Sequence, residues 1–147
     1  MRRLLAVIIS GSIFASCGTN TVLYNWGGMY NSQTSRYEHC AYNYYEKQSP
    51  QSVCELVCIY ASMVENPGGV KKQVPPGIYA EYGYLLLQPE TAKAFEEHAT
   101  NRQRNVFGFS DYGTSFHDLG LAMLRKEIEI YPESAKFLGP LVKKLER

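Results

Sequence analysis

Nowhere in this 147-residue chain is there an apolar run of the roughly 20 residues that a bilayer-spanning helix needs. A C-x-x-C pair is missing too, which removes the usual dithiol redox motif and the commonest zinc knuckle. No G-x-S-x-G elbow is present, since Ser110 stands in Gly108-Phe109-Ser110-Asp111. A phosphate-cradling glycine loop is absent. The three histidines, His39, His98 and His117, have no paired spacing, and Glu96-Glu97-His98 reads as a solvated helix face. Charge of one sign is also lacking: 15 basic residues stand against 14 acidic ones. Without a basic stripe the chain carries no nucleic-acid footprint. No catalytic residue, metal, cofactor or small-molecule substrate is therefore expected.

What is present begins at the N-terminus. The apolar run of residues 4–15 is interrupted by Ser10, Gly11 and Ser12. It suits the h-region of a signal peptide, with Arg2 and Arg3 as the positive n-region. Ala15 and Ser16 stand directly before Cys17, which resembles a bacterial lipobox with Phe14 in the usual place of Leu. The resemblance implies cleavage between Ser16 and Cys17, a diacylglycerol on the Cys17 sulfur and an acyl chain on its new amino group. A thiol suits this step because a soft nucleophile takes the lipid. Several chains, at about 0.8 kcal/mol per buried methylene, make the anchorage effectively permanent. The alternatives are an uncleaved signal anchor and a plain signal with an incidental cysteine. Gly18 carries no acidic inner-membrane retention mark, which points to an outer-membrane lipoprotein facing the periplasm. Removing Arg2 and Arg3 from the 15 basic residues leaves 13 against 14 acidic ones, a net charge near −1.

The expected organisation is a lipoprotein signal peptide (1–16), a lipidated Cys17 with tether and strap (17–33), and one helical domain (34–147). From Thr34 or Ser35 the spacing turns helical, with Tyr37, Ala41, Tyr44 and Tyr45 on one side. Ser49-Pro50 reads as a cap and first helical residue, opening a helix to about Val64. Pro75-Pro76-Gly77 starts a third helix with a stripe of Ile78, Tyr82, Leu85 and Leu86. Gly83 inside it costs about 1 kcal/mol against alanine, so close approach of another helix is expected there. Gln88-Pro89-Glu90 breaks that helix, and residues 91–100 resume it with Ala94 and Phe95 inward. Residues 101–118 read as a loop. A helix from about His117 to Ile130 carries Leu121, Leu124 and Ile128, and a last one covers residues 133–145, disturbed by Pro140. The fold class is all-α: antiparallel helix pairs, partly tetratricopeptide-like, with Tyr82-Gly83, Ala94-Phe95 and Pro132 as the repeat-like marks.

Three motifs besides the lipobox extend this reading: Tyr24-x-Trp26-Gly27-x-x-Tyr30, the run from Pro75-Pro76-Gly77 to Tyr82-Gly83, and Glu129-x-Tyr131-Pro132-Glu133-Ser134. Together they resemble a bacterial lipoprotein family of unknown function, DUF4810, over nearly the whole mature chain. The stretch from about Glu96 to His117 is additional to that family's pattern. The resemblance implies a periplasmic, membrane-anchored helical protein in an envelope complex with other lipoproteins, one of them similar to the curli secretion channel subunit. It carries over no catalytic residue.

Cys40, Cys54 and Cys58 remain once the anchor is used. Export permits disulfides. A Cys40 bridge across the first helix pair is feasible, whereas bridging Cys54 to Cys58 within one helix strains the geometry. The other reading is that all three are small core residues. The chain holds 12 tyrosines, amphipathic side chains common at interfaces. Tyr24, Trp26 and Tyr30 are candidates for partner binding, or else a strap folded over the core. Phe109, in the expected loop, is a candidate for docking or for self-packing. The expected function is an outer-membrane lipoprotein whose helical domain binds other envelope proteins. A periplasmic thiol-dependent enzyme and a structural spacer without a dedicated partner are the alternatives.

Overall fold

Ser35 and Ser49 each start a helix by the same device. Their hydroxyls accept the N–H of Glu38 and of Ser52, and those two side chains accept the N–H of the capping serine in return. The computed structural model describes residues 22–146. The signal peptide, Cys17 and the first tether residues lie outside the described residues. The elements are α1 (Arg36–Lys47), α2 (Pro50–Glu65), α3 (Ile78–Leu86), α4 (Pro89–His98), α5 (Asn101–Phe107), α6 (Tyr112–Ile130), a 3-10 turn (Pro132–Ser134) and α7 (Ala135–Leu145). The described chain is all-helical, with two isolated bridges, Met29 to Ser35 and Gly68 to Gln73, as its extended pairing.

The expected loop over 101–118 is corrected. Thr100 forms a capping box with Gln103, which starts α5, and Gly108 closes it in the left-handed conformation at φ 63°. Asp111 then accepts the N–H of Thr114 and starts α6 five residues before the expected His117. Two side-chain caps outweigh the mixed polarity that suggests a loop. Pro140 is exposed and does not end α7, which continues to Leu145.

α2 is the central helix, packed by α1, α3, α4 and α5. Val57 and Met63 from it are fully buried with Phe95, Phe116 and Leu124. Aromatic rings fall into two groups. Trp26, Tyr37, Tyr60 and Tyr82 form a ladder, with successive centroids 5.5, 5.7 and 5.6 Å apart. Phe95, Phe107, Phe109, Tyr112 and Phe116 form a cluster where α4, α5 and α6 meet.

The expected close approach at Gly83 is present, and its partner is α6. A Cβ on Gly83 would lie 2.7 Å from the Gly120 carbonyl oxygen, and one on Gly120 would lie 2.8 Å from Leu87. Gly77 meets Glu127 while Gly83 meets Gly120, so α3 and α6 run antiparallel. α4 and α5 are an excursion between the two helices of this pair.

Candidate functional site

The two proline motifs are far apart in the chain and meet in space. α3 has no cap of its own, since Gly77 offers no side chain. Glu127 of α6 supplies one: its Oε1 accepts the Gly77 N–H at 2.8 Å. One turn on, the Tyr131 hydroxyl donates to the Val74 carbonyl at 2.5 Å. Glu127 is buried, and burial pushes its carboxyl above the usual range, while the N–H groups of Gly77, Ala80 and Tyr79 act in the opposite direction. Both contacts are structural and bind the Pro75-Pro76-Gly77 turn to the end of α6. Glu127 was not singled out by sequence, although its i, i+4 spacing to Tyr131 places both on one helix face.

The strap is built from two asparagine turns. Asn25 Oδ1 accepts the N–H of Gly27 and Gly28, and Asn31 Oδ1 accepts those of Gln33 and Thr34. Gly27 takes φ 76° and presses on Ile59, where an added Cβ would lie 2.5 Å away. Trp26 rests on Tyr37, and its backbone carbonyl accepts the Tyr37 N–H. Trp26 is 36% exposed and lies against α1 through Tyr37, and Tyr24 is half-buried. Tyr30 is 57% exposed and stacks flat on His39, with centroids 3.6 Å apart.

Tyr30 also lines a groove of about 570 Å³ between the strap, α1, α2 and α5. Arg36 and His39 stand on one side, Arg102 and Gln103 on the other, with Cys58, Ile59 and Ser62 of α2 between them. A second groove of about 270 Å³ lies between α2, α5 and α6 and is lined by Val64, Phe107, Phe109, Leu119 and Met123. Val106 lines both, so the two adjoin at that side chain. Together the two grooves, divided by Val106, form a trough flanking α2 from Glu55 to Glu65, about 15 Å long at 1.5 Å per residue. One end is polar and the other apolar. Phe109 is half-buried, packed on Phe107 at 5.7 Å and open to the apolar end. Sequence reasoning named Tyr30 and Phe109 separately. The stretch Val106 to Phe109 reads from sequence as a loop, which hides that Val106 stands on a helix between the two grooves.

Cys40, Cys54 and Cys58 are free thiols. Cys54 is buried and its Sγ donates to the Ala94 carbonyl at 3.5 Å. Burial pushes Cys54 up to about 11 and Cys58 up to about 12, with the Cys54 and Cys40 thiols adding to the effect on Cys58. Cys40 is raised for the same leading reason. Thiol nucleophiles need the opposite shift. Among the described residues, no group of three or more His, Cys, Asp or Glu is placed to hold a metal ion, and no helix is long and apolar enough to cross a membrane. Compared with family models, curated proteins and solved structures, the chain matches none.

Proposed function

We propose that this chain is an outer-membrane lipoprotein, anchored through Cys17, whose periplasmic helical domain binds other envelope proteins through the trough along α2. The observation that carries this reading is the junction at Val106, which joins an aromatic and polar groove at Tyr30 to an apolar groove at Phe109. A trough of this length suits a short amphipathic segment laid between helices. Its Tyr, Arg and Phe lining is the composition that concentrates binding energy at interfaces. The resemblance to the lipoprotein family adds an envelope complex as the setting, with a curli-channel-like lipoprotein among the partners. Within this reading the repeat-like hairpin is α3 with α6, since Gly120 and Pro132 stand in the order of a second repeat helix.

The test is cross-linking in cells with mass spectrometry on wild type, Tyr30→Ala, Phe109→Ala and Val106→Asp, beside the thermal midpoint of each. Loss of a cross-linked partner from Val106→Asp at an unchanged midpoint supports the trough. Undiminished recovery from all three variants defeats it. Metabolic labelling with a fatty-acid analogue, marking wild type and not Cys17→Ser, tests the anchor separately.

A further inference from the structure

The first described residues carry a second exposed apolar surface that the trough does not use. Val22 and Leu23 are 58% and 56% exposed, and Val70 is 60% exposed. The three are held side by side: the Val70 N–H donates to the Val22 carbonyl at 3.1 Å, and the Lys71 N–H donates to that of Leu23 at 3.0 Å. Gly69 makes this apposition close, because a Cβ there would lie 2.6 Å from the Leu23 carbonyl carbon. Asn25 fastens the same region through its bond to the Asn66 carbonyl at 2.8 Å. Lys71 and Lys72 are exposed beside the aliphatic residues. Three aliphatic side chains flanked by two ammonium groups, on a braced turn, form a small surface of mixed apolar and cationic character.

We infer that this surface, Val22, Leu23 and Val70 with Lys71 and Lys72, docks on the phospholipid bilayer and fixes the orientation of the domain. The inference rests on the lipid anchor at Cys17. Val22 follows that residue by five positions, so a fully extended chain places the two Cα atoms at most about 18 Å apart. The patch is therefore held at the bilayer surface at a high effective concentration, and weak contacts suffice. Aliphatic side chains enter the headgroup and acyl boundary, while lysines favour anionic headgroups. The trough then stands at a set distance from the membrane.

The experiment uses the full lipidated chain reconstituted into phosphatidylethanolamine–phosphatidylglycerol vesicles with brominated acyl chains. Trp26 is the only tryptophan, so Trp26→Phe clears the background and keeps a ring against Tyr37. Val70→Trp or Leu23→Trp then adds one indole at the patch, and Tyr45→Trp adds one at the far end of α1. Circular dichroism checks each fold, and the two patch variants back each other up. The expected result is at least a twofold loss of emission in brominated against plain vesicles for the patch indoles and little loss at Tyr45→Trp. Adding Lys71→Glu and Lys72→Glu should reduce the quenching. Vesicles that float with the protein while the patch indoles stay unquenched overturn the docking and leave the anchor standing. A wild-type chain that does not float has no anchor, and the docking falls with it.

Discussion

Trp26, Tyr37, Tyr60 and Tyr82 run as a file of rings across the strap, α1, α2 and α3, whereas five rings, Phe95 among them, gather at the junction of α4, α5 and α6. The ladder carries polar tips. Tyr37 and Tyr60 both donate to Glu81 Oε2, at 2.8 and 2.7 Å, so one carboxylate oxygen fixes two rings. Within the cluster only Tyr112 has a hydroxyl, and its contacts are mostly edge-to-face, as ring quadrupoles favour. The ladder is therefore specified by direction and is sensitive to protonation. The cluster is specified by volume.

The largest effect should come from the cluster. Phe95 is fully buried and touches Phe107, Tyr112 and Phe116, so Phe95→Ala should cost about 3–5 kcal/mol in a denaturant titration. A cost below that of Tyr60→Phe would break the comparison. Gly83→Leu tests the seam next to Tyr82. The 2.7 Å approach to the Gly120 carbonyl leaves no room for even a Cβ, and overpacking should cost about 1–3 kcal/mol despite the helix-propensity gain. An unchanged thermal midpoint would place that seam in the open.

Tyr60→Phe keeps the ring and removes one of the two donors to Glu81. Its expected cost is about 1.5 kcal/mol, the low end for a hydrogen bond to a charged group, since Glu81 is exposed. The ladder should also give way in alkali. Burial, with the Glu81 carboxylate behind it, raises Tyr37 from 10.0 to about 12 and moves Tyr60 in the same direction. The folded state then favours the neutral phenols. Their contribution is complete below pH 10 and fades as pH rises through about 12. Tyr37→Phe should flatten that alkaline decline of the thermal midpoint, and Phe109→Ala should leave its shape unaltered. Thr100→Ala, which removes the cap of α5, should cost about 1 kcal/mol or less. Its sharper readout is faster amide exchange in residues 101–107 with the ladder unaffected.

Six of the seven described helices, α6 with a late start, and the interior stripes were legible because capping and periodicity are local. Ser35, Ser49 and the Pro75-Pro76-Gly77 turn announce their helices within a few residues. α5 was not legible as read, although the T-x-x-Q pattern at Thr100 and the D-x-x-T pattern at Asp111 carried the signal. Mixed polarity hid it, since α5 contains no buried residue and so shows no apolar stripe. The choice of α6 as the neighbour of Gly83 was beyond local reading, because it depends on Gly120, far along the chain. The trough was half legible: Tyr30 and Phe109 stood out as aromatics, but only Val106 on α5 brings their grooves together.

α5 has one more consequence. It is capped at its start by Thr100 with Gln103 and ended by the backbone of Gly108 in the left-handed conformation, and it buries no residue completely. The frame of α2, α3, α4 and α6 supplies nearly all of the buried interior without it. Lengthening a connection at the surface costs only slowly more in chain entropy. α5 is thus a tile set into one wall of a recess and keyed to the frame through Phe107. A different tile between Ala99 and Tyr112 would reshape the walls of both grooves, and the scaffold would keep its shape only if the tile again set a ring where Phe107 meets Phe95 and Phe116.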